Sequence, residues 1–199
     1  MKKLLDYFRK LIPERHPLRL YYHKASAILA SLVFGFPSQR LKVIAVTGTS
    51  GKSSTVELIW YILQKTGHKC GSLSSINFHI GDKTIDNNTL RTTLRPWTIQ
   101  KFLRKMVHSK CEYCVLEVSS HAIDQERIWG INVDTALCTN IYDKEHLDYH
   151  GTFAEYMRVK MRLFSNLNAS SRKPNIKKTA ILNRDDDQYE YFNDLPADK

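Results

Sequence analysis

The chain has 199 residues, of which 42% are hydrophobic and 25% are charged, so it can bury the core of one globular domain and is not intrinsically disordered. Its 30 lysines and arginines exceed its 20 acidic residues and give a net charge of +10, which favours an anionic partner such as a nucleic acid, a phosphate ligand or a membrane surface. No apolar run reaches about 18 residues, so the sequence predicts no membrane-spanning helix.

Residues 1–42 are predicted to form a basic N-terminal segment of two amphipathic helices. Apolar residues recur at spacings of three and four in residues 4–12 and again in residues 18–36, and a proline follows each pattern. The segment carries nine basic and two acidic residues. Its second helix could pack on the domain that follows, or residues 1–36 could make a peripheral membrane contact. We favour the packed helix and keep the membrane contact as the alternative.

Residues 43–199 are predicted to form an α/β domain around a doubly wound, mostly parallel sheet. An apolar run without alternation, residues 43–46, is typical of a strand buried on both faces. Further strand-like and helical patterns alternate along the chain, as in parallel sheets. The strand-like runs are residues 113–118, 135–141 and 179–183, the helical patterns are residues 56–63, 98–108 and 153–167, and Gly81-Asp82 is the turn of a predicted hairpin.

A glycine-rich loop between the first strand and the first helix of this domain predicts a phosphate site. Backbone amides and a helix N-terminus can hold a polyphosphate there, with Lys52 neutralising it and the Ser53 hydroxyl facing Mg²⁺. The strict nucleotide-loop pattern has a glycine where Val46 stands, and an ordinary turn with a capping serine is the alternative. The candidate ATP-binding residues are Thr47, Gly48, Thr49, Ser50, Gly51, Lys52, Ser53 and Ser54.

Two further residues follow later strands. Glu117 ends one predicted strand and His146 comes after the next, and in a doubly wound sheet such positions lie in the ligand crevice. We therefore predict that both lie near a phosphate-bound metal together with Ser53. Lys160, judged by its own amphipathic helix, is predicted to face solvent.

The four cysteines indicate a reducing compartment. Cys111 and Cys114 form a single CxxC without the second pair that a zinc site needs. Cys114 and Cys138 are instead predicted to be small apolar residues of buried strands. Together with the absence of a signal-peptide pattern, this predicts a cytoplasmic protein.

These segments, in this order, resemble the Mur ligases, the ATP-dependent amide-forming ligases of peptidoglycan precursor assembly. The resemblance rests on the loop at residues 47–54, a Thr pair at 92–93, E-V-S-S-H-x-x-x-Q-x-R at 117–127 and T-N-x-x-x-x-H-L-D-Y-H-G at 139–151. It is greatest to the members that join an amino acid to UDP-N-acetylmuramoyl-dipeptide through an acyl phosphate. ATP and Mg²⁺ are the implied cofactors.

The resemblance also implies roles for individual residues. Lys160 matches a lysine that is carried as a carbamate, an anionic group close to magnesium. The implied catalytic residues are Lys52, Lys160, Glu117 and His146, and the implied magnesium site is Ser53, Glu117 and His146. The residues that match those holding the muramoyl-dipeptide are Thr92, Thr93, Ser119, Gln125 and Arg127.

The resemblance implies three domains. Residues 1–42 are shorter than the usual first domain, residues 43–199 match most of the central ATPase domain, and the domain that binds the amino acid is expected beyond Lys199. We therefore expect this 199-residue piece to bind ATP only weakly and to form no amide bond by itself. We also expect it to be a monomer.

Two other functions remain open from the sequence. A folylpolyglutamate synthase shares the ATPase core, although its loop normally reads G-K-G-S where this chain has Gly51-Lys52-Ser53-Ser54. A non-catalytic nucleotide- or RNA-binding module could use the basic N-terminal segment. The chain lacks an aromatic–basic RNA motif, so we expect no nucleic-acid partner.

Overall fold

Seven strands and seven α-helices are present in residues 13–89, 91–142 and 146–193, the parts of the chain that the computed structural model describes. The strands are β1 (Lys42–Thr47), β2 (Cys70–Leu73), β3 (Asn77–Ile80), β4 (Lys83–Asp86), β5 (Tyr113–Glu117), β6 (Thr135–Cys138) and β7 (Thr179–Leu182). The helices are α1 (Pro17–Phe34), α2 (Lys52–Lys65), α3 (Pro96–His108), α4 (Ser120–Asp124), α5 (Leu147–His150), α6 (Phe153–Ala169) and α7 (Tyr189–Asn193). The helix predicted at residues 4–12 lies outside the described residues.

The strands form one sheet in the order β4-β3-β2-β5-β1-β6-β7. All neighbours pair in parallel from β2 to β7, whereas β3 and β4 form an antiparallel hairpin at one edge. The chain leaves β1 for β2 on one side of it and later reaches β6 on the other side, so β1 lies at a topological switch point. The predicted doubly wound, mostly parallel α/β fold is confirmed.

Helices cover both faces of the sheet. Alternate residues of β1 enter two separate apolar clusters: Val46 packs with Val56 of α2 on one face, whereas Val43 and Ala45 belong to the cluster that contains residues of α3 and α6 on the other. This burial on both faces explains why the strand reads as a continuous apolar run. The free cysteines Cys70, Cys111, Cys114 and Cys138 are all buried, as predicted for Cys114 and Cys138.

Strand β2 was not predicted from the sequence, and neither were the short helices α4, α5 and α7. Its residues, Cys70–Leu73, include a glycine and a serine and lack the β-branched residues that usually indicate a strand. A Cβ at Gly71 would lie 2.6 Å from the Met106 sulphur of α3, so any larger residue there would force this buried methionine side chain to move. The predicted hairpin around Gly81-Asp82 is confirmed as β3 and β4.

Helix α1 packs on the domain with the face opposite to the one we expected. Its buried residues are the small side chains Ala27, Ala30 and Ser31, and the Ser31 hydroxyl accepts a hydrogen bond from Gln100 of α3. The apolar stripe that predicted burial is mostly exposed, and Leu29 and Leu32 have 55% and 58% of their surface in solvent. The helix therefore packs on the domain, as we favoured, but it does so through these small residues and not through the apolar stripe, because small residues allow a closer helix contact.

None of the helices in the described residues is both long enough and apolar enough to cross a lipid bilayer.

Two buried lysines and one aspartate join the loop before β7 to the starts of β1 and β6. The Lys173 ammonium contacts Asp134 and donates to the Leu41 carbonyl at 2.6 Å, and Lys178 donates to the Val133 carbonyl at 2.6 Å and to Asp134 at 3.3 Å. Burial lowers the pKa of Lys173 from its ordinary value. The Asp134 carboxylate therefore compensates two desolvated cations.

We expect Asp134→Asn to lower the free energy of unfolding by about 3–5 kcal/mol, the usual effect of removing one partner of a buried ion pair. The amide would leave the two buried ammonium groups of Lys173 and Lys178 without their carboxylate. Urea unfolding followed by circular dichroism measures the change. Asp187→Asn is the control, since Asp187 is exposed, and equal stability of the two variants would contradict the assigned role of Asp134.

Candidate functional site

The candidate site lies where the carboxyl ends of β1, β2, β5 and β6 meet. In the parallel registers, Val46 of β1 pairs with Glu117 of β5, and Thr47 pairs with Cys138 of β6. Leu73 of β2 pairs with Leu116. The residues that follow these strands are consequently neighbours, although up to about 90 positions separate them in the chain.

The glycine-rich loop after β1 is held by the residues that follow β6. Asn140 accepts hydrogen bonds from the backbone amides of Thr49 and Ser50, both at 2.8 Å. Gly48 has φ of +145°, and a Cβ there would lie 1.9 Å from the Thr139 hydroxyl, so only glycine fits. Because Asn140 occupies two loop amides, a phosphate would be held by the amides at the start of α2, which have no intrahelical acceptor.

The predicted ATP-binding residues occupy this loop and the first turn of α2. Lys52 begins the helix and its ammonium donates to the Thr49 carbonyl at 2.7 Å, which directs the side chain back over the loop. The Thr49 hydroxyl is 3.0 Å from the Tyr156 hydroxyl of α6. Thr47 and Thr49 are buried, whereas Ser50, Gly51 and Ser54 are exposed.

Ser53 and Glu117, two of the three predicted magnesium ligands, are in direct contact. The Ser53 hydroxyl donates to Glu117 Oε1 at 3.0 Å and is 2.6 Å from the Ser75 hydroxyl. The Ser75 amide donates to Glu117 Oε2 at 2.6 Å. Hydroxyl and carboxylate oxygens beside a phosphate loop are the donor set that Mg²⁺ prefers, so these residues fit the implied ion.

Lys160 is buried, and the prediction that it faces solvent is wrong. Only 1% of the residue is exposed, and its ammonium donates to the Gly48 carbonyl of the phosphate loop at 2.7 Å. Burial, together with the nearby positive charge of Lys52, lowers the pKa of Lys160 to about 7. An appreciable fraction of this side chain is therefore the neutral, nucleophilic amine at neutral pH.

Gly48, Lys52 and Lys160 line a cavity of about 240 Å³, whereas Ser53 and Glu117 lie outside its lining. The residues that the structure describes around it include several basic side chains and no acidic one. The lining residues are Gly48, Lys52, Arg91, Thr92, Thr93, Ser119, Ser120, His121, Arg127, His146 and Lys160. A positive cavity that contains a phosphate loop is suited to a polyanionic ligand.

His146, the third predicted metal ligand, lies on the wall of this cavity. Its ring centroid is 5.1 Å from that of His121 and 6.0 Å from that of Tyr156. Burial, with a smaller contribution from His146, lowers the pKa of His121. A neutral imidazole is the form that can bind a metal or accept a proton.

Four of the residues matched to substrate binding are joined by hydrogen bonds near the carboxyl end of β5. Ser119 follows β5 and caps α4, and its backbone amide donates to the Thr93 hydroxyl at 2.9 Å. Arg127 donates to the Thr93 carbonyl at 2.9 Å and to Gln125 Oε1 at 2.8 Å. Burial, with the neighbouring Arg91 charge, lowers the pKa of Arg127 to about 10. Thr92, Thr93, Ser119 and Arg127 line the cavity, whereas Gln125 is buried behind it.

Six residues of the site were assigned no role from the sequence: Ser75, Arg91, Ser120, His121, Asn140 and Tyr156. Ser75 follows β2, the strand that was missed, so nothing indicated that it reaches Glu117. Asn140 belongs to a recognised motif, and its place directly after a strand is a signal that could have found it. Tyr156 reads as an ordinary apolar position of α6.

A second cavity, of about 410 Å³, is larger but contains none of the predicted site residues. It lies between α6 and the segment joining α4 to β6, with Trp129 and Arg162 among its lining residues. The smaller cavity is the functional candidate, because the strand ends and the phosphate loop meet there.

Comparison with known proteins gives consistent results. A family model described as the Mur ligase middle domain matches residues 46–199. The UDP-N-acetylmuramoyl-L-alanyl-D-glutamate--2,6-diaminopimelate ligase of Geobacillus kaustophilus (strain HTA426) is 39% identical over 176 residues, which are 87% of this chain and 35% of that protein. The chain thus spans about one third of the length of such relatives.

Solved structures agree in fold. A UDP-N-acetylmuramoyl-L-alanyl-D-glutamate--2,6-diaminopimelate ligase superposes with a TM-score of 0.62 at 28% identity, over 76% of this chain and 28% of its own. A folylpolyglutamate synthase of Mycobacterium tuberculosis complexed with ADP and AMPPCP has a TM-score of 0.63 at 16% identity, over 84% and 43% of the two chains. At that identity the second likeness shows the shared fold alone.

Proposed function

This chain belongs to the Mur ligase family, and on that premise we propose that it is the ATP-binding part of a ligase that joins an amino acid to UDP-N-acetylmuramoyl-dipeptide. The observation that carries the proposal is the single cavity in which the phosphate-loop residues Gly48 and Lys52 lie beside Thr93 and Arg127. A nucleoside triphosphate and the anionic muramoyl-dipeptide could bind side by side there.

The proposed reaction has two steps. A carboxylate oxygen of the dipeptide attacks the γ-phosphorus of ATP, so that ADP leaves and an acyl phosphate forms. The amino group of the incoming amino acid then attacks the acyl carbon, phosphate leaves and the nitrogen loses a proton. Lys52 and the first amides of α2 would hold the phosphates in line for the first step, so positioning and charge compensation account for most of the catalysis.

Ser53, Glu117 and His146 are the residues that would hold Mg²⁺. The bound ion would neutralise charge on the phosphate oxygens. Glu117 is 1% exposed, and its two oxygens accept from Ser53 and from the Ser75 amide. Ser75 therefore fixes the direction of the Glu117 carboxylate, and we assign it a positioning role in the metal site.

Thr92, Thr93, Ser119, Gln125 and Arg127 would bind the muramoyl-dipeptide. The planar guanidinium of Arg127 suits a carboxylate or phosphate, because it can pair with two anionic oxygens at once. Diaminopimelate is the amino acid in the names of the relatives and is the first to be tested, with lysine as the second. The folylpolyglutamate synthase alternative is supported by fold alone, whereas the 39% identity to a muramoyl-peptide ligase favours the reaction above.

Lys52→Ala should lower turnover of the complete enzyme by at least about 100-fold, the scale of removing one preorganised charge from a transition state. The assay contains ATP, Mg²⁺, UDP-N-acetylmuramoyl-L-alanyl-D-glutamate and diaminopimelate or lysine, and it measures both phosphate release and the tripeptide. Lys65→Ala, an exposed lysine at the other end of α2, is the control and should keep full activity.

Two results would contradict this proposal. One is a parent enzyme that makes no tripeptide with either amino acid but extends a folate with glutamate. The other is a Lys52→Ala enzyme with the turnover of the parent.

We further propose that Lys160 carries a carbamate. Its amine must be neutral to attack CO₂, and a pKa of about 7 means that this form is present at neutral pH and is lost as the pH falls below that value. The attack joins the amine nitrogen to the carbon of CO₂ and releases a proton. It leaves an anion beside the phosphate loop, because the Lys160 nitrogen lies 2.7 Å from the Gly48 carbonyl oxygen. That anion could order a magnesium ion beside the loop.

Enzyme supplied with ¹³C-bicarbonate should show a carbamate carbon signal that Lys160→Ala lacks and that weakens below pH 7. Lys160→Ala should also lose about tenfold or more of the ligase activity, and short carboxylic acids should restore part of it. Lys177→Ala, an exposed lysine, is the control and should change neither result. A Lys160→Ala enzyme as active as the parent at every bicarbonate concentration would rule out the role.

We also propose that the exposed stripe of α1, Leu18, Tyr21, Tyr22, Leu29, Leu32 and Val33, docks on an anionic membrane surface. The proposed compartment is the cytoplasm, where four unpaired cysteines are stable. The choice of a membrane as the partner rests on charge, because the N-terminal segment that contains this helix, residues 1–42, carries nine basic and two acidic residues.

The full chain should cosediment with phosphatidylglycerol-containing vesicles at low salt and much less with phosphatidylcholine alone. The double variant Leu29→Ser, Leu32→Ser should bind the vesicles at least about tenfold more weakly, because it lacks the free energy gained when two leucine side chains move from water into lipid. Leu58→Ser with Ile62→Ser, two residues of α2 with similar exposure, is the matched control. Equal binding by both double variants would contradict the proposal. A dimer of the parent chain that only the α1 variant abolishes would also contradict it, because the partner would then be a second copy.

A further inference from the structure

The side chain of Arg15 links the segment before α1 to α4 and α6 beside the candidate site. Its Nε donates to Asp124 Oδ2 at 3.0 Å, and one terminal nitrogen donates to Glu155 Oε1 at 2.5 Å. The other terminal nitrogen is 3.4 Å from the His150 carbonyl. The carboxylate side chain of Asp124 is only 5% exposed, so the guanidinium compensates a nearly buried charge.

A continuous series of hydrogen bonds leads from Asp124 to the cavity. The Tyr149 hydroxyl donates to Asp124 Oδ2 at 3.0 Å, and the Gln125 amide donates to the Tyr149 hydroxyl at 3.2 Å. Arg127 Nε donates to Gln125 Oε1 at 2.8 Å, and another Arg127 nitrogen donates to the Thr93 carbonyl. Each of the three bonds from Arg127 to Asp124 is donated towards Asp124, so this carboxylate is the acceptor at which the series ends.

We propose that Arg15 is a positioning residue of the ligase, and that it orients Gln125 and Arg127 through Asp124 and Tyr149. Arg15 contacts both oxygens of this carboxylate, since a terminal nitrogen is also 3.4 Å from Asp124 Oδ1. Without Arg15, the cation that remains in contact among the described residues is Arg162, whose Nη1 is 3.6 Å from Oδ1. The carboxylate would turn towards Arg162, the Tyr149 hydroxyl would lose its acceptor, and the Arg127 guanidinium would be held firmly only by its bond to the Thr93 carbonyl.

Two observations set Arg15 apart from the site residues already described. It precedes residues 46–199, to which the family model is matched, so its role does not follow from that match. It also lies behind the cavity and is absent from its lining, so it acts through other side chains and not on the substrate. The identity of the ligand that Arg127 binds rests on the proposed function, whereas the series of hydrogen bonds does not.

Arg15→Ala in the complete enzyme should raise KM for the muramoyl-dipeptide nucleotide by about tenfold, with KM for ATP changed by less than about twofold. Arg15→Lys keeps the charge but not the planar fork, so it should restore part of the affinity. Arg158→Ala is the matched control, because Arg158 also pairs with Glu155 but has no hydrogen bond to Asp124 among the described residues. It should match the parent.

A double-mutant cycle with Tyr149→Phe tests the route. The phenylalanine keeps the ring and removes the hydroxyl that joins Asp124 to Gln125, so Arg15→Ala should have little further effect on KM in that background. Full additivity of the two changes would overturn the proposal, and so would equal rises in the two KM values together with a lower melting temperature. A parent enzyme without ligase activity would refute the proposed function, whereas an active parent with an unchanged Arg15→Ala variant would refute this inference alone.

Discussion

The parallel pairing of β1 with β5 on one side and β6 on the other decides which chemical groups meet in this protein. It places Val46 beside Glu117 and Thr47 beside Cys138, so the glycine-rich loop emerges between a carboxylate and the Thr139-Asn140 pair. A shift of one residue in the pairing of β1 with β5 would turn Glu117 to the other face of the sheet. The contact between Ser53 and Glu117 and the support of the loop by Asn140 are both consequences of this register.

The electrostatics of the site follow from the same arrangement. The strand ends bring several basic groups into one cavity whose described lining contains no carboxylate, and burial lowers the pKa of both Lys160 and Arg127. Such a cavity is costly for the folded protein without an anion, since desolvated like charges repel. A polyphosphate would remove that cost, so this cavity is complementary in charge to such a ligand. At the opposite end of β1, the buried charges of Lys173 and Lys178 are compensated by Asp134, a carboxylate of the chain itself. That cluster therefore needs no ligand and has a structural role.

Sequence patterns predicted the parts of this protein that depend on local order. The alternation of strands and helices, the loop after β1 and the positions of Glu117 at the end of β5 and Ser119 after it could all be predicted from residues 43–141. Contacts that depend on packing could not be read. The amphipathic pattern of α6 does not show that Lys160 points to the loop, because one helix face gives no information on what lies opposite it. The pattern of α1 misled for a related reason, since small residues can bury a helix more closely than large ones.

The two sides of helix α1 have different surroundings, since one packs on the domain and the other faces solvent. The small inner face, with Ser31 bonded to Gln100, holds the helix on α3, and the segment before it supplies Arg15 to the carboxylate behind the cavity. The outer face keeps large apolar side chains in contact with water, which costs free energy unless something covers them. If a surface covers that face, it also restrains the segment that carries Arg15. Occupation of the outer face and orientation of Arg127 would then be coupled, because both act on the same short stretch of chain.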